Sequence, residues 1–175
     1  VIKDGDEIIY PQQTKQLDYE VELAAIIGKK ACNIEPDDVP SHIYGYTVFN
    51  DITARDLQKS EGQWYRAKSF DTFGPLGPVA VKQEELGDPQ DINLRSYVNN
   101  ELRQDGNTSD MIFGVYYLIS YISRTITLFP GDLISTGTPS GVGIFTEGNK
   151  LLQPGDLVSC EIEGIGTITN KVVSK

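Results

Sequence analysis

The sequence of 175 residues predicts a mainly β domain of the α+β class, built from mixed sheets with a few short helices. Three observations carry that prediction. The 17 glycines and 9 prolines cut the chain into short pieces. Most pieces are rich in Val, Ile, Thr and Tyr, which suit a pleated sheet. Only one stretch shows a sustained helical period. No repeat, low-complexity tract or linker interrupts the chain, so residues 1–175 read as a single domain, long enough to bury a core without disulfides.

From the N-terminus, Val1 to Pro11 reads as strand, turn and strand, with Glu7–Tyr10 the second strand. Apolar, β-branched runs then place strands at Tyr19–Gly28, Ile43–Asn50, Val79–Lys82, Asn93–Val98, Ile134–Thr136, Leu157–Ile162 and Gly166–Val173. A tight turn at Asn99-Asn100-Glu101 joins Leu94–Val98 to the following Leu102-Arg103-Gln104. The one strong helix is capped by Thr108 or Ser109 and carries Met111, Ile112, Val115, Leu118, Ile119 and Ile122 at helical spacing. A shorter helix follows Thr53, through Arg55-Asp56-Leu57-Gln58-Lys59.

Charge narrows the function. Lys and Arg total 15 against 25 Asp and Glu, a net charge of −10 without a basic cluster, which argues against nucleic acid and anionic membranes as partners. The stretch Met111–Ile122 is too short and interrupted to span a bilayer, and no signal peptide is visible. Cys32 and Cys160 lie far apart without metal-ligand spacing, so both are expected to pack in a reduced, cytoplasmic protein. The chain begins at Val1 without an initiator methionine, and further residues are expected before it.

Glu20 and Glu22 stand one residue apart in an apolar strand. Side chains of a strand alternate faces, so both point the same way, roughly 7 Å apart. Asp51 ends the run Tyr44–Asn50, and three hard oxygen ligands converging there suit Mg²⁺, Mn²⁺ or Ca²⁺ better than zinc or copper. Spacing alone leaves a second reading open, in which the glutamates line a solvent face and Asp51 caps a turn.

Other candidates surround these acids in the sequence. Arg55 and Gln58, three apart in the short helix, face one way and can present a cation and an amide to an anion, although Arg55 equally suits a surface pair with Asp56 or Glu61. Lys68, within Trp64-Tyr65-Arg66-Ala67-Lys68-Ser69-Phe70, either stays charged and stabilises an oxyanion, loses its proton and acts as a base, or simply snorkels to the surface. The loop Ser135–Gly143 offers amide and hydroxyl donors to a carboxylate but lacks the phosphate-loop pattern. No nucleophile elbow is present, and the only histidine, His42, reads as a strand-entry residue.

Four ordered motifs, Asp-Tyr-Glu-Val-Glu-Leu at 18–23, Asn-Asp-Ile-Thr-Ala-Arg-Asp-Leu-Gln at 50–58, Arg-Ala-Lys-Ser-Phe-Asp-Thr-Phe-Gly-Pro at 66–75 and Thr-Gly-Thr-Pro-Ser-Gly-Val-Gly at 136–143, give a chain that resembles the catalytic, C-terminal domain of the fumarylacetoacetate hydrolase family. The text around Lys68 is most similar to bacterial and archaeal members labelled 2-hydroxyhepta-2,4-diene-1,7-dioate isomerases. The resemblance implies a β-sandwich-like roll, commonly a homodimer. It makes Glu20, Glu22 and Asp51 ligands of Mg²⁺, Lys68 the catalytic lysine at the substrate oxygen, and Arg55, Gln58 and Thr138 substrate contacts.

Members of this family act on 2-oxo or β-diketo acids, so the resemblance implies hydrolytic carbon–carbon cleavage of an acylpyruvate-like acid. Keto-enol isomerisation of a 2-hydroxy-dienoate, as in aromatic catabolism, and oxaloacetate decarboxylation are the alternatives; a metal- or ligand-binding domain without its lid is the non-enzymatic one. In hydrolysing members a His and Glu pair on an N-terminal lid activates water; Val1–Asp18 holds no histidine, and that pair is unassigned here.

Overall fold

The computed structural model describes residues 1–174. In chain order the strands and α-helices are β1 (Ile2–Lys3), β2 (Glu7–Tyr10), β3 (Leu17–Asp18), β4 (Val21–Ile27), β5 (Ile43–Asn50), β6 (Thr53–Ala54), α1 (Arg55–Glu61), α2 (Tyr65–Lys68), β7 (Pro75–Lys82), α3 (Gln83–Leu86), β8 (Asn93–Val98), β9 (Glu101–Asn107), α4 (Val115–Ser123), β10 (Leu133–Ser135), β11 (Leu157–Ile162) and β12 (Gly166–Ser174). They form two five-stranded sheets, ordered β1-β7-β5-β4-β10 and β2-β12-β11-β8-β9, with a small β3-β6 pair beside them.

Both large sheets are mixed. β1 runs parallel to β7 and β2 parallel to β12, while the other pairings are antiparallel. The N-terminal strand-turn-strand is therefore not a hairpin, because β1 and β2 join different sheets. Odd-numbered residues of β4, namely Val21, Leu23, Ala25 and Ile27, share one core with Leu94 of β8, Cys160 and Ile162 of β11, and Val115 and Ile119 of α4. Burying a Leu or Ile side chain of this kind stabilises the fold by about 2 kcal/mol. A second core gathers Ile8, Leu17, Tyr19, Ile52, Phe73, Val158 and Val172 under the β3-β6 pair.

Six strands agree with the sequence reading within a residue at both ends. Asn99 and Asn100 both take positive φ, 52° and 65°, forming the tight turn between β8 and β9. Three elements differ. β4 is shorter than Tyr19–Gly28, because Tyr19 turns into the second core and Gly28 donates to the carbonyl of His42 at the bend into β5. β7 starts at Pro75 rather than Val79, since the turn-like Gly-Pro-Leu-Gly-Pro text lies extended along β1 and β5.

The long helix is the largest correction. Asn107 caps a single 3₁₀ turn over Thr108–Asp110 by accepting from the Ser109 amide, Met111 is extended, and α4 begins only after Gly114. Ile112 consequently stands exposed rather than in the core, beside an exposed Phe113. Among the described residues no helix is long and apolar enough to cross a membrane.

Candidate metal centre

The face of β4 opposite the main core carries the acids. In the β4–β5 ladder Val21 pairs with Asn50 and Glu22 with Phe49, so Glu20, Glu22 and Asp51 share one face. One oxygen from each of the three lies within 4.8 Å of the other two. Glu20 and Glu22 are only 7% and 4% exposed, which removes the solvent-face reading.

Each carboxylate has fixed partners. Glu22 Oε2 accepts from the Gly137 amide at 2.9 Å and from the Ser135 hydroxyl, both on the β10 side. Glu20 Oε1 pairs with Arg55 Nη1 at 2.6 Å and Oε2 with Lys68 Nζ at 2.9 Å. Lys68 Nζ also reaches Asp51 Oδ2 at 2.5 Å and the Thr53 hydroxyl at 3.0 Å. Arg55 further donates from Nε to Asp18 Oδ2 at 2.9 Å and from Nη1 to Gln58 Oε1 at 3.1 Å.

The electrostatics favour binding of a cation. Four carboxylates, the buried Asp18, Glu20 and Glu22 and the half-buried Asp51, face two cations, Arg55 and Lys68, so 4 − 2 leaves two negative charges, the charge of one divalent ion. Glu22 bears the deficit: burial, opposed by the Ser135 hydrogen bond and helped by repulsion from Asp51 and Glu20, pushes its carboxyl up to about 7. Burial also raises Asp51, although Lys68 pulls it back. For Lys68 burial works downward, but Glu20 and Asp51 outweigh it and raise the ammonium above its ordinary value. Between these two carboxylates, without a metal on them, Lys68 is held as a cation.

The donor set fits a hard divalent ion on Glu20, Glu22 and Asp51, with Lys68 and Arg55 beside it. Sequence reasoning brought six of its seven candidates together. The seventh, Thr138, lies next to Gly137, but its hydroxyl donates to the Val21 carbonyl and accepts from Gln104 Nε2, both at 2.8 Å. In this geometry that hydroxyl braces the loop. A cavity of about 440 Å³ lies against Gly137, Thr138 and Pro139 on the side of β9 and Phe113, with none of Glu20, Glu22 and Asp51 in its wall. His42 sits at the entry to β5, as expected. Cys160 is buried as expected, whereas Cys32 is exposed and not packed.

Two contributors escaped the sequence reading: Asp18 and Thr53. Asp18 carried a signal, since it continues the period-two spacing of Glu20 and Glu22 backwards. Thr53 is a short hydroxyl residue with nothing in the local text to mark it, whereas Ser135 belongs to the loop expected to donate to a carboxylate, here that of Glu22.

The family model described as the C-terminal domain of fumarylacetoacetate (FAA) hydrolase matches residues 1–173. The chain belongs to this family. It is 52% identical over 172 residues to an uncharacterized protein of Methanocaldococcus jannaschii, covering 98% of this chain and 68% of that protein. With the human mitochondrial oxaloacetate tautomerase FAHD2A it shares 46% over 170 residues, 96% of this chain and 54% of the human protein.

Among solved structures, the fumarylacetoacetate hydrolase of Exiguobacterium antarcticum superposes with a TM-score of 0.95 at 44% identity, covering 99% of this chain and 62% of that one. The 2-hydroxyhepta-2,4-diene-1,7-dioate isomerase of Mycobacterium marinum gives 0.91 at 44%, covering 99% and 65%. The chain thus spans about half the length of the human tautomerase and somewhat under two thirds of these solved chains.

Proposed function

We propose that the protein is a divalent-metal-dependent enzyme, with Mg²⁺ the natural ion, that promotes enolisation of a small 2-oxo acid. The observation that carries this reading is the Lys68 ammonium clamped between Glu20 and Asp51 at the edge of the three-acid cluster. A divalent cation held by Glu20, Glu22 and Asp51 would supply Lewis-acid polarisation of adjacent oxo and carboxylate oxygens. Lys68 adds a fixed positive charge where an enolate oxygen develops, and its surroundings keep water from screening it. Arg55 and Gln58 hold the substrate carboxylate beside it.

Tautomerisation of a short 2-oxo acid takes one proton from C3 and returns one to the enol oxygen, so beside these groups it needs only a proton carrier, which solvent water can supply, and human FAHD2A, 46% identical, is called an oxaloacetate tautomerase. Hydrolytic carbon–carbon cleavage of an acylpyruvate, a second reading supported by the name of the Exiguobacterium relative, adds the activation of water to the same enolate chemistry. Decarboxylation of oxaloacetate instead breaks a carbon–carbon bond, releasing carbon dioxide and leaving the enolate of pyruvate, a charge that the same groups would stabilise.

The deciding experiment follows the loss of enol absorbance of oxaloacetate with Mg²⁺-loaded protein and with EDTA, alongside acetylpyruvate and fumarylpyruvate. Metal-dependent acceleration of enol loss without cleavage supports the tautomerase reading. Cleavage of an acylpyruvate moves it to hydrolysis. No metal-dependent reaction with any of them rejects enolate chemistry on these acids.

We further propose that the expected homodimer forms through the exposed face of α4. Ile112, Phe113, Tyr117 and Tyr121 are exposed, and the rings of Phe113, Tyr117 and Tyr121 stack along α4 at centroid distances of 5.1 and 6.1 Å. A contiguous aromatic strip of this kind suits a second copy of the chain.

A further inference from the structure

Asp18 is fully buried and spends its whole carboxylate on two parts of the site. Oδ1 accepts from the amides of Tyr19 at 3.0 Å and Gly143 at 2.7 Å, and Oδ2 accepts from the Ile144 amide at 3.0 Å and Arg55 Nε at 2.9 Å. The loop end fits it closely, since a Cβ on Gly143 would stand 2.7 Å from Asp18 Oδ1 and 2.5 Å from the Lys150 carbonyl.

The other end fixes the guanidinium. With Nε on Asp18 and Nη1 shared by Glu20 and Gln58, Arg55 has no rotational freedom left, and Nη2 remains buried without a partner. A buried cationic N–H of this kind is costly unless it receives an acceptor. We propose that Asp18 is the positioning residue of the site, locking Arg55 so that Nη2 is presented to the substrate carboxylate and pinning the glycine loop 136–144 to the same point. The assignment rests on the enolisation reading only for the identity of the substrate.

A positioning role makes a specific demand: Asp18 must act on anion binding through Arg55 and not on the metal. The test measures KM and kcat for the turned-over 2-oxo acid, and by calorimetry the affinities for Mg²⁺ and for oxalate on the Mg²⁺-loaded protein, in wild type, Asp18→Asn, Arg55→Lys and the double variant. Asn keeps the shape of Asp18 but removes the charge that holds Arg55 Nε. The expected result is a tenfold or greater rise in KM and in the oxalate dissociation constant for Asp18→Asn, with kcat and Mg²⁺ affinity changed less than threefold. In the Arg55→Lys background the same substitution should change oxalate affinity less than twofold.

Equal effects of Asp18→Asn in both backgrounds, an equal loss of Mg²⁺ affinity, or no effect at all would overturn the proposal. Asp18→Glu, which keeps the charge and shifts it by one methylene, replaces the Asn variant in the same cycle if the latter fails to fold, with the same outcomes. Because oxalate binding is read without turnover, a protein inactive on every 2-oxo acid still decides the role of Asp18.

Discussion

The backbone amide of Asp51 donates to the carbonyl of Glu20 at 2.9 Å, carrying the β4–β5 register one pair past Val21 and Asn50. That single bond places the two side chains opposite each other on one face. Asn50, one residue earlier, accepts from the Glu20 amide at 3.1 Å and fixes the same junction from the other side. The cluster is thus set by strand register, and its members respond differently to substitution according to their partners.

Glu22 is the cluster acid with no cation partner of its own. Glu22→Gln preserves its shape and an acceptor for Ser135 and Gly137 while removing a buried charge. Divalent-metal affinity measured by calorimetry should fall at least tenfold. The EDTA-treated variant should also be more stable than wild type at pH 8, since an unpaired buried charge costs several kcal/mol at most and about 1 at least. Unaltered metal affinity would take Glu22 out of the ligand set.

Lys68 should show the opposite pattern. Lys68→Met keeps the length of the side chain but leaves Asp51 without a counter-charge and Glu20 with Arg55 alone. Breaking the pair should cost the metal-free protein about 2–4 kcal/mol in urea unfolding. Divalent metal should restore much of that stability, because its charge replaces the ammonium. Turnover should be lost with metal binding retained; unchanged turnover would remove Lys68 from the chemistry.

The strands and the acid triad were legible because both depend on short-range patterns: β-branched runs bounded by Gly and Asn, and a period of two that survives any tertiary context. The long helix is less legible for the same physical reason. Met111 and Ile112 match a 3.6-residue period, but Asn107 closes a competing 3₁₀ turn and Gly114 is extended, so the local caps outweigh the apolar spacing. Thr138 belongs to a recognisable motif, yet its hydroxyl is committed to Val21 and Gln104, a partner 34 residues away that no local pattern reveals. Asp18 stands in a recognisable motif with no sign of its role there, because its partners Arg55, Gly143 and Ile144 meet only in the folded chain.

The exposed aromatic strip gives a test of self-association. Phe113→Glu combined with Tyr121→Glu places two charges on a face that carries stacked rings. Sedimentation should show a dimer for wild type and a monomer for the double variant, with circular dichroism unchanged because neither side chain is in the core. A wild-type monomer, or a dimer that persists in the variant, would place the interface elsewhere.

The raised carboxyl of Glu22 sets a pH dependence whose sign is opposite to ordinary acid denaturation. Its folded value of about 7 lies above the usual 4.5, so between those limits the folded protein keeps a proton that the unfolded chain has released. Stability of the metal-free protein should therefore fall as pH rises from about 4.5 to 7 and level off above, by up to about 3 kcal/mol from Glu22. Asp51, also raised by burial, adds to the same trend. A divalent ion displaces the Glu22 proton, so its apparent affinity should weaken as pH drops below 7, and the binding heat at pH 6 should vary with the ionisation enthalpy of the buffer. Urea midpoints of EDTA-treated protein at pH 5.5 and 7.5 check the first part. A higher midpoint at 7.5 would mean that Glu22 is ionised in the folded state without its metal, and that some other cation in the chain already balances it.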